Sequence, residues 1–451
     1  MRRLRISVAF ATIFATFFGG MALAYGVGGL LESIWYEGAS RLSNIIILML
    51  VFVMVFATLL IMTDRKWSAL MQNRVGPNRI RIPLPGLRNR SLAGLPYLLA
   101  DTLKMLTKES FVPKAAHRFF YVLAPIAAFA PVFALFAVVP AGPTVEVLGK
   151  QVDMVVANPN FGLLYIFAIA SLAIFGGTLA GWASNNKFSL LGGIRACSQM
   201  ISYEIALGLS LVGLMMAFAS IQLAGPTGIM EQQAQYLWST HFGGFDVGIP
   251  AWGLLLQPFG FLLFFAAAFA ETKRPPFDMT ECESEIIGYF VEYSGMRFGM
   301  FMIAEYVEIV ILSGIVVTLF LGGYHLPFGG EWFASLPLFQ AHPWVYGATM
   351  GMVFWIKVLL VVYIQQNIRW SNVRFRYDQI QKLGWKILIP LGIFNIFATG
   401  AVLLWDNGNL TSLGIWGFLQ IALVLILIMS SPKSSIYKPL PSEPLPSPTH
   451  H

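Results

Sequence analysis

Apolar runs of roughly 18 residues or more recur along this 451-residue chain, and that recurrence limits its fold more than any other feature. As helix, each run is long enough to cross a hydrocarbon core of about 30 Å. Ten are read: 6–31, 44–62, 119–140, 161–182, 201–218, 254–270, 296–322, 345–366, 387–404 and 413–430. Lipid offers no partner to a free backbone N–H or C=O, so a spanning run must be a helix or part of a closed barrel. The strict alternation of barrel strands is absent. Charged residues make up 11% of the chain, about half the usual share for a soluble protein. The chain therefore reads as an all-α polytopic membrane protein.

Charge placement gives the expected orientation. Of 29 Lys and Arg residues, only Arg41, Lys150 and Lys357 fall outside the head, the tail and the loops on the N-terminal side. The positive-inside rule then puts both termini in the cytoplasm. The basic start followed by an apolar run is too long for a signal peptide and has no clear small-residue cleavage site. Net charge +7 thus describes cytoplasmic loops facing anionic lipid and a partner protein, with no nucleic acid expected. Cys197 and Cys282 both fall on the cytoplasmic side, where a structural disulfide is not expected, and two thiols cannot ligate an iron–sulfur cluster. No P-loop, dinucleotide fingerprint or metal-spaced histidines occur. The chain is expected to hold no redox centre or metal. In the long first loop, 92–108 carries Leu95, Leu98, Leu99, Thr102, Leu103 and Leu106 at helical spacing, which predicts an amphipathic helix at the interface; a solvated loop helix is the alternative. The tail KPLPSEPLPSPTHH reads as extended or disordered.

Between two apolar runs, the stretch 271–292 concentrates six carboxylates: Glu271, Asp278, Glu281, Glu283, Glu285 and Glu292. Charge at a membrane boundary is costly and is commonly functional when it enters protein. On a helix Glu281 and Glu285 (i, i+4) would share a face with Glu283 on its flank, and crowded carboxylates hold protons near neutral pH, as a relay requires. Glu204, Glu305, Glu308 and Lys357 lie inside apolar spans. Each alone is as well read as an interhelical pair that holds the bundle. Together with the acidic stretch they favour a buried polar path.

Five segments carry a resemblance: TDRKWSALMQNRVGPNR, GWASNNKFSLLGGIRACSQMISYEIALG, AETKRPPFDMTECESE, EYSGMRFGMFMIAEY and RFRYDQIQKLGWKILIP. In this order they closely resemble motifs of the quinone-site membrane subunit of respiratory complex I. That is the H subunit of the bacterial NADH-quinone oxidoreductase, called NADH dehydrogenase subunit 1 in mitochondria. The resemblance implies an eight-helix core over 44–406, with one extra helix before it (1–43), one after it (407–431) and the tail 432–451. It implies a bacterial inner membrane, peripheral-arm and small membrane subunits as partners, lipid contacts, and quinone as shared substrate. Quinone-cavity or arm-contacting roles are implied for Arg65, Lys66, Gln72, Arg74, Arg274, Phe277 and Asp278, with Arg195 and Gln199 nearby. An acidic proton path is implied for Glu204, Glu271, Glu281, Glu283, Glu285, Glu292 and Glu305. Arg369, Arg376 and Asp378 match the last cytoplasmic loop.

The chain departs from the family pattern at Asp64, Lys273 and Thr280, where Glu, Asn and Pro are usual, and lacks one residue between Glu285 and Glu292. If that segment were helical, the second acid would turn by about 100° relative to the first. Three other readings remain: the anchor of a related hydrogenase or ferredoxin-linked complex, a stand-alone ion carrier, and a purely structural anchor whose buried acids only pair.

Overall fold

The computed structural model describes residues 2–34, 38–80, 94, 96–242, 245–281, 285, 286, 288–328, 330–406 and 409–430. Cys282, Glu283, the basic segment 81–93 of the first loop and the tail 432–451 lie outside them. The long helices are α1 (Arg2–Ile34), α2 (Ser40–Met71, with π-helical turns over Asn44–Val53), α3 (Pro96–Thr107), α4 (Arg118–Phe136), α5 (Gly162–Ala183), α6 (Lys187–Phe218), α7 (Pro258–Glu271), α8 (Gly295–Phe320), α9 (Pro343–Ser371), α10 (Tyr377–Trp405, with π-helical turns over Leu383–Leu388) and α11 (Leu410–Ser430).

Among the described residues nine helices are long and apolar enough to cross a membrane. The protein is an all-α polytopic membrane protein. The predicted run 254–270 is the exception: Gln257 and Pro258 break it into a single turn, Gly253–Leu256, and the 14-residue α7. Proline supplies no N–H to a preceding turn, so the chain restarts there with Pro258 in the first turn of α7. The span read as 201–218 starts earlier, because α6 runs unbroken from Lys187.

The core forms around α8, whose spanning window is 83% buried against α2, α4, α7 and α9. Helices α4, α5 and α6 pack in sequence, and α7 and α10 flank α6. Close helix crossing needs small residues: a Cβ on Gly176 of α5 would lie 2.5 Å from the Ala128 backbone of α4. Helix α1 covers α9, its Phe17 meeting Phe52, Phe56 and Trp355 at ring-centroid distances of 5.6–6.0 Å.

Two hairpins outside the helices have no counterpart in the sequence reading. Strands β1 (Val145–Val147) and β2 (Lys150–Val152) pair antiparallel with Val145 opposite Val152; the turn residues Leu148 and Gly149 both have positive φ, as a type I′ turn requires. Strands β3 (Tyr236–Phe242) and β4 (Phe245–Pro250) pair with Tyr236 opposite Pro250. The amphipathic helix forms as α3, touching α8 and α2, with Leu99, Leu103 and Leu106 between 59% and 71% exposed.

Candidate functional site

Helix α7 delivers the acidic stretch to the centre of the molecule. Its last residue, Glu271, is buried, and the described residues between 272 and 294 form turns and bends. No helix forms over the described residues of this segment, and Glu281 and Glu285 are themselves non-helical. The loop is pinned by backbone and amide contacts. Gln199 Nε2 donates to the carbonyls of Ala270 (2.8 Å) and Phe277 (3.0 Å), and Phe375 N donates to Pro276 O (3.0 Å). Phe277 is buried among the rings of Tyr203, Phe269 and Phe375.

These anchors bring together charges from four elements. Arg274 Nη2 lies 2.7 Å from Glu305 Oε2 of α8, and its guanidinium stacks over the Tyr306 ring at 4.2 Å. Tyr306 in turn donates to Asp64 Oδ2 of α2 (2.9 Å). Asp64 also accepts from Arg369 (2.5 Å) and from Trp370 Nε1 (3.0 Å) of α9. Arg374 closes the group with a 2.8 Å bond to Asp278. Asp64, Arg274 and Glu305 are only 3–7% exposed, so a lone charge at any of these positions would be prohibitively costly. Pairing makes the cluster tolerable.

The cluster continues into the membrane helices. Glu281 interacts electrostatically with the Glu305 carboxyl. Glu308, one turn beyond Glu305, interacts electrostatically with Glu305 and Lys273, and Glu271 interacts with Glu308, Glu204 and Lys273. Tyr289 donates to Glu305 Oε1 at 3.4 Å, and Lys273 Nζ sits 5.4 Å from the Tyr289 ring centre. Glu204, Glu271, Glu308, Glu305 and Glu281 therefore form one electrostatically continuous series. In the loop, burial pushes the Asp278 carboxyl up to about 6, Arg374 opposing and Glu305 adding to the rise. Burial and the neighbouring Glu305 carboxyl raise Glu281 well above the ordinary range. Arg274 stays charged because Glu305, Tyr306, Glu281 and Asp64 outweigh its burial.

Other residues singled out in the sequence lie apart. Glu285 pairs with Arg195 at 3.0 Å near the surface, and Arg195 lies over Tyr377. Glu292 accepts from Asn186 Nδ2 (2.7 Å) beside a cleft lined by Trp182, Asn185 and Lys187. Arg65 is exposed and bonded to Asp101 of α3 at 2.6 Å; Lys66 is half-buried; Gln72 and Arg74 are exposed and bond each other. Arg376 is exposed, and Asp378 lies 3.7 Å from Lys382. Among the described residues no group of three His, Cys, Asp or Glu side chains could hold a metal.

The family model described as NADH dehydrogenase matches residues 43–400 of this chain. The chain belongs to that family. It is 40% identical over 363 residues to the NADH-quinone oxidoreductase H subunit of Flavobacterium johnsoniae, covering 78% of this chain and 94% of the relative. The H subunit numbered 2 of Syntrophobacter fumaroxidans is 40% identical over 372 residues (82% and 98%), and that numbered 1 of Cytophaga hutchinsonii is 40% identical over 342 residues (76% and 90%). Every member of the charged cluster falls inside the stretch the family model matches, whereas α11 lies beyond it.

Four contributors carry little weight in the sequence alone. Asp64 stands out there only as a departure from the family pattern, and Tyr306, Tyr289 and Arg374 have no role. No local pattern marks them, because their partners lie far away in sequence.

Proposed function

We propose that this chain is the membrane subunit of a proton-translocating NADH-quinone oxidoreductase, forming part of a quinone cavity and the start of an acidic coupling path, without a redox centre of its own. The observation that carries this reading is the buried Arg274–Glu305 pair that joins the loop to α8, with Asp278 and Glu281 beside it and Glu308, Glu271 and Glu204 interacting electrostatically on the membrane helices. Reducing a quinone consumes two protons, so a headgroup held near Asp278 and Arg274 would change the charge at the head of the series. Because the acids interact, that change alters the proton affinity of the next. Burial limits exchange with water, so protons pass along the series instead of escaping it.

On this reading, the half-buried Lys66 and the exposed Arg65, Gln72 and Arg74, at and just past the end of α2, face the peripheral-arm subunits; Arg195 and Glu285 form part of the same contact. The membrane is a bacterial inner membrane with both termini cytoplasmic, as the basic loops indicate, and lipid surrounds the exposed apolar faces. The helices outside 44–406, α1 and α11, are additions to the family core.

In the assembled enzyme, Arg274→Ala is expected to lower NADH-driven quinone reduction by at least about tenfold, the scale of one lost charge-assisted bond, while NADH oxidation by an artificial acceptor stays intact. Equal loss of both activities would mean misassembly, and equal retention of both would remove Arg274 from the quinone site.

A further inference from the structure

Helix α7 is too short for its setting. Its 14 residues span about 21 Å, against a hydrocarbon core of about 30 Å. Its Pro258 end is buried among the helices, where a first-turn amide without an intrahelical acceptor cannot turn to water. One buried side chain caps this end, held by three others, while Phe261 N reaches back to Gln257 O (2.9 Å). Phe259 N donates to Gln420 Oε1 (3.2 Å), and Gln420 Nε2 donates to Asn395 Oδ1 (3.4 Å). Asn395 Nδ2 donates to Gln257 Oε1 and Gln257 Nε2 to Thr399 Oγ1, both at 2.8 Å. All four are at most 3% exposed.

Gln420 belongs to α11, the helix beyond the family match. One face of α11 is buried (Leu413, Gly414, Gly417 and Gln420), while Leu419, Leu423 and Ile426 are exposed. A Cβ on Gly417 would fall 1.8 Å from Leu255 O, so the α11 backbone lies directly against the break that precedes α7. The far end of α7 is Glu271, held in place by Gln199 through Ala270 O. An amide thus pins each end of the helix.

We propose that Gln420 is a positioning residue for the acidic series: by capping α7 within the membrane it fixes the depth of that helix and so the placement of Glu271 against Glu308 and Glu204. The role of Glu271 rests on the functional reading above; the cap does not. The test uses the assembled enzyme with Gln420→Leu, Gln420→Glu and, as control, Glu271→Gln. Gln420→Leu is expected to speed amide exchange at Phe259 by roughly three- to tenfold, the scale of one buried interhelical bond. It should also lower protons moved per quinone reduced about twofold and displace the pH profile of turnover. Gln420→Glu, kept protonated by its burial, keeps an oxygen for Phe259 N and a donor for Asn395 Oδ1 and is expected to hold all three readouts at wild-type values. Unchanged exchange in Gln420→Leu overturns the cap; faster exchange with wild-type proton yield and pH profile overturns the positioning role. Should Gln420→Leu not assemble, the shorter Gln420→Asn is expected to show the same shifts at smaller amplitude, and wild-type values in it overturn the proposal. If Glu271→Gln moves protons normally, the acidic-series reading fails, while exchange and pH profile in Gln420→Leu still decide the positioning claim.

Discussion

The two ends of α7 are both polar and both buried, yet they meet that cost in different ways. At the Pro258 end, neutral amides and a hydroxyl from α10, α11 and the break itself bond one another. At the Glu271 end, among the described residues, seven carboxyls (Asp64, Glu204, Glu271, Asp278, Glu281, Glu305 and Glu308) face four cations (Lys273, Arg274, Arg369 and Arg374). Amides that satisfy one another have nothing to exchange with a substrate, so the first end is architecture. A surplus of buried acids can approach neutrality only by holding protons, and proton occupancy responds to what happens nearby. The difference separates a device for holding a helix from a device for sensing charge.

The strongest way to break this comparison is to remove one group from each end. Asp64→Ala leaves the largely buried Arg369, 16% exposed, without its carboxylate and should destabilise the assembled protein by about 3–5 kcal/mol, the usual result of breaking a buried pair from one side. Thr399→Val keeps shape but strips Gln257 Nε2 of its acceptor, and should cost about 1 kcal/mol. Thermal unfolding of the two variants beside the parent measures both. Equal losses would mean that the ionic end is no more than a second scaffold.

How much of this was legible in the sequence follows from the range over which each feature acts. The spans were readable because bilayer crossing is a local requirement on about 20 consecutive residues. The run at 254–270 misled because apolar content stays high across Gln257 and Pro258, whereas helix continuity depends on one missing N–H. The acidic stretch declared itself by density alone. Its geometry did not: the loop's anchors, Gln199 to Phe277 and Phe375 to Pro276, come from helices and loops far away in sequence. Asp64 and Arg369 lie 305 residues apart, and nothing local in either segment marks the other as its partner.

A smaller effect sharpens the comparison through pH. The ordinary Asp carboxyl value is 3.8, and in the folded protein Asp278 sits at about 6, chiefly through burial. The folded state therefore binds the extra proton more tightly than the unfolded chain. The associated stability is fully present below about pH 4 and is lost as pH rises through about 6. In Asp278→Asn that contribution disappears, so stability between pH 4 and 6 should depend on pH less steeply than in the parent, and quinone turnover should lose an ionisation near pH 6. Thr399→Val, at the neutral end, should keep the parental slope. A parental slope in Asp278→Asn would show that its carboxyl titrates where an exposed one does.

The smallest expected effect separates charge from burial. Arg65 and Asp101 form a 2.6 Å ion pair shorter than the one between Arg274 and Glu305, but their side chains are 45% and 30% exposed. Water and salt screen such a pair, and its worth is about 0–1 kcal/mol. Asp101→Ala should therefore leave unfolding of the chain nearly unchanged at about 0.15 M salt, even though it breaks a closer contact than Arg274→Ala does. If Asp101→Ala instead matched Asp64→Ala in cost, proximity of opposite charges would suffice to explain the ionic end, and withdrawal from solvent would not be what sets it apart.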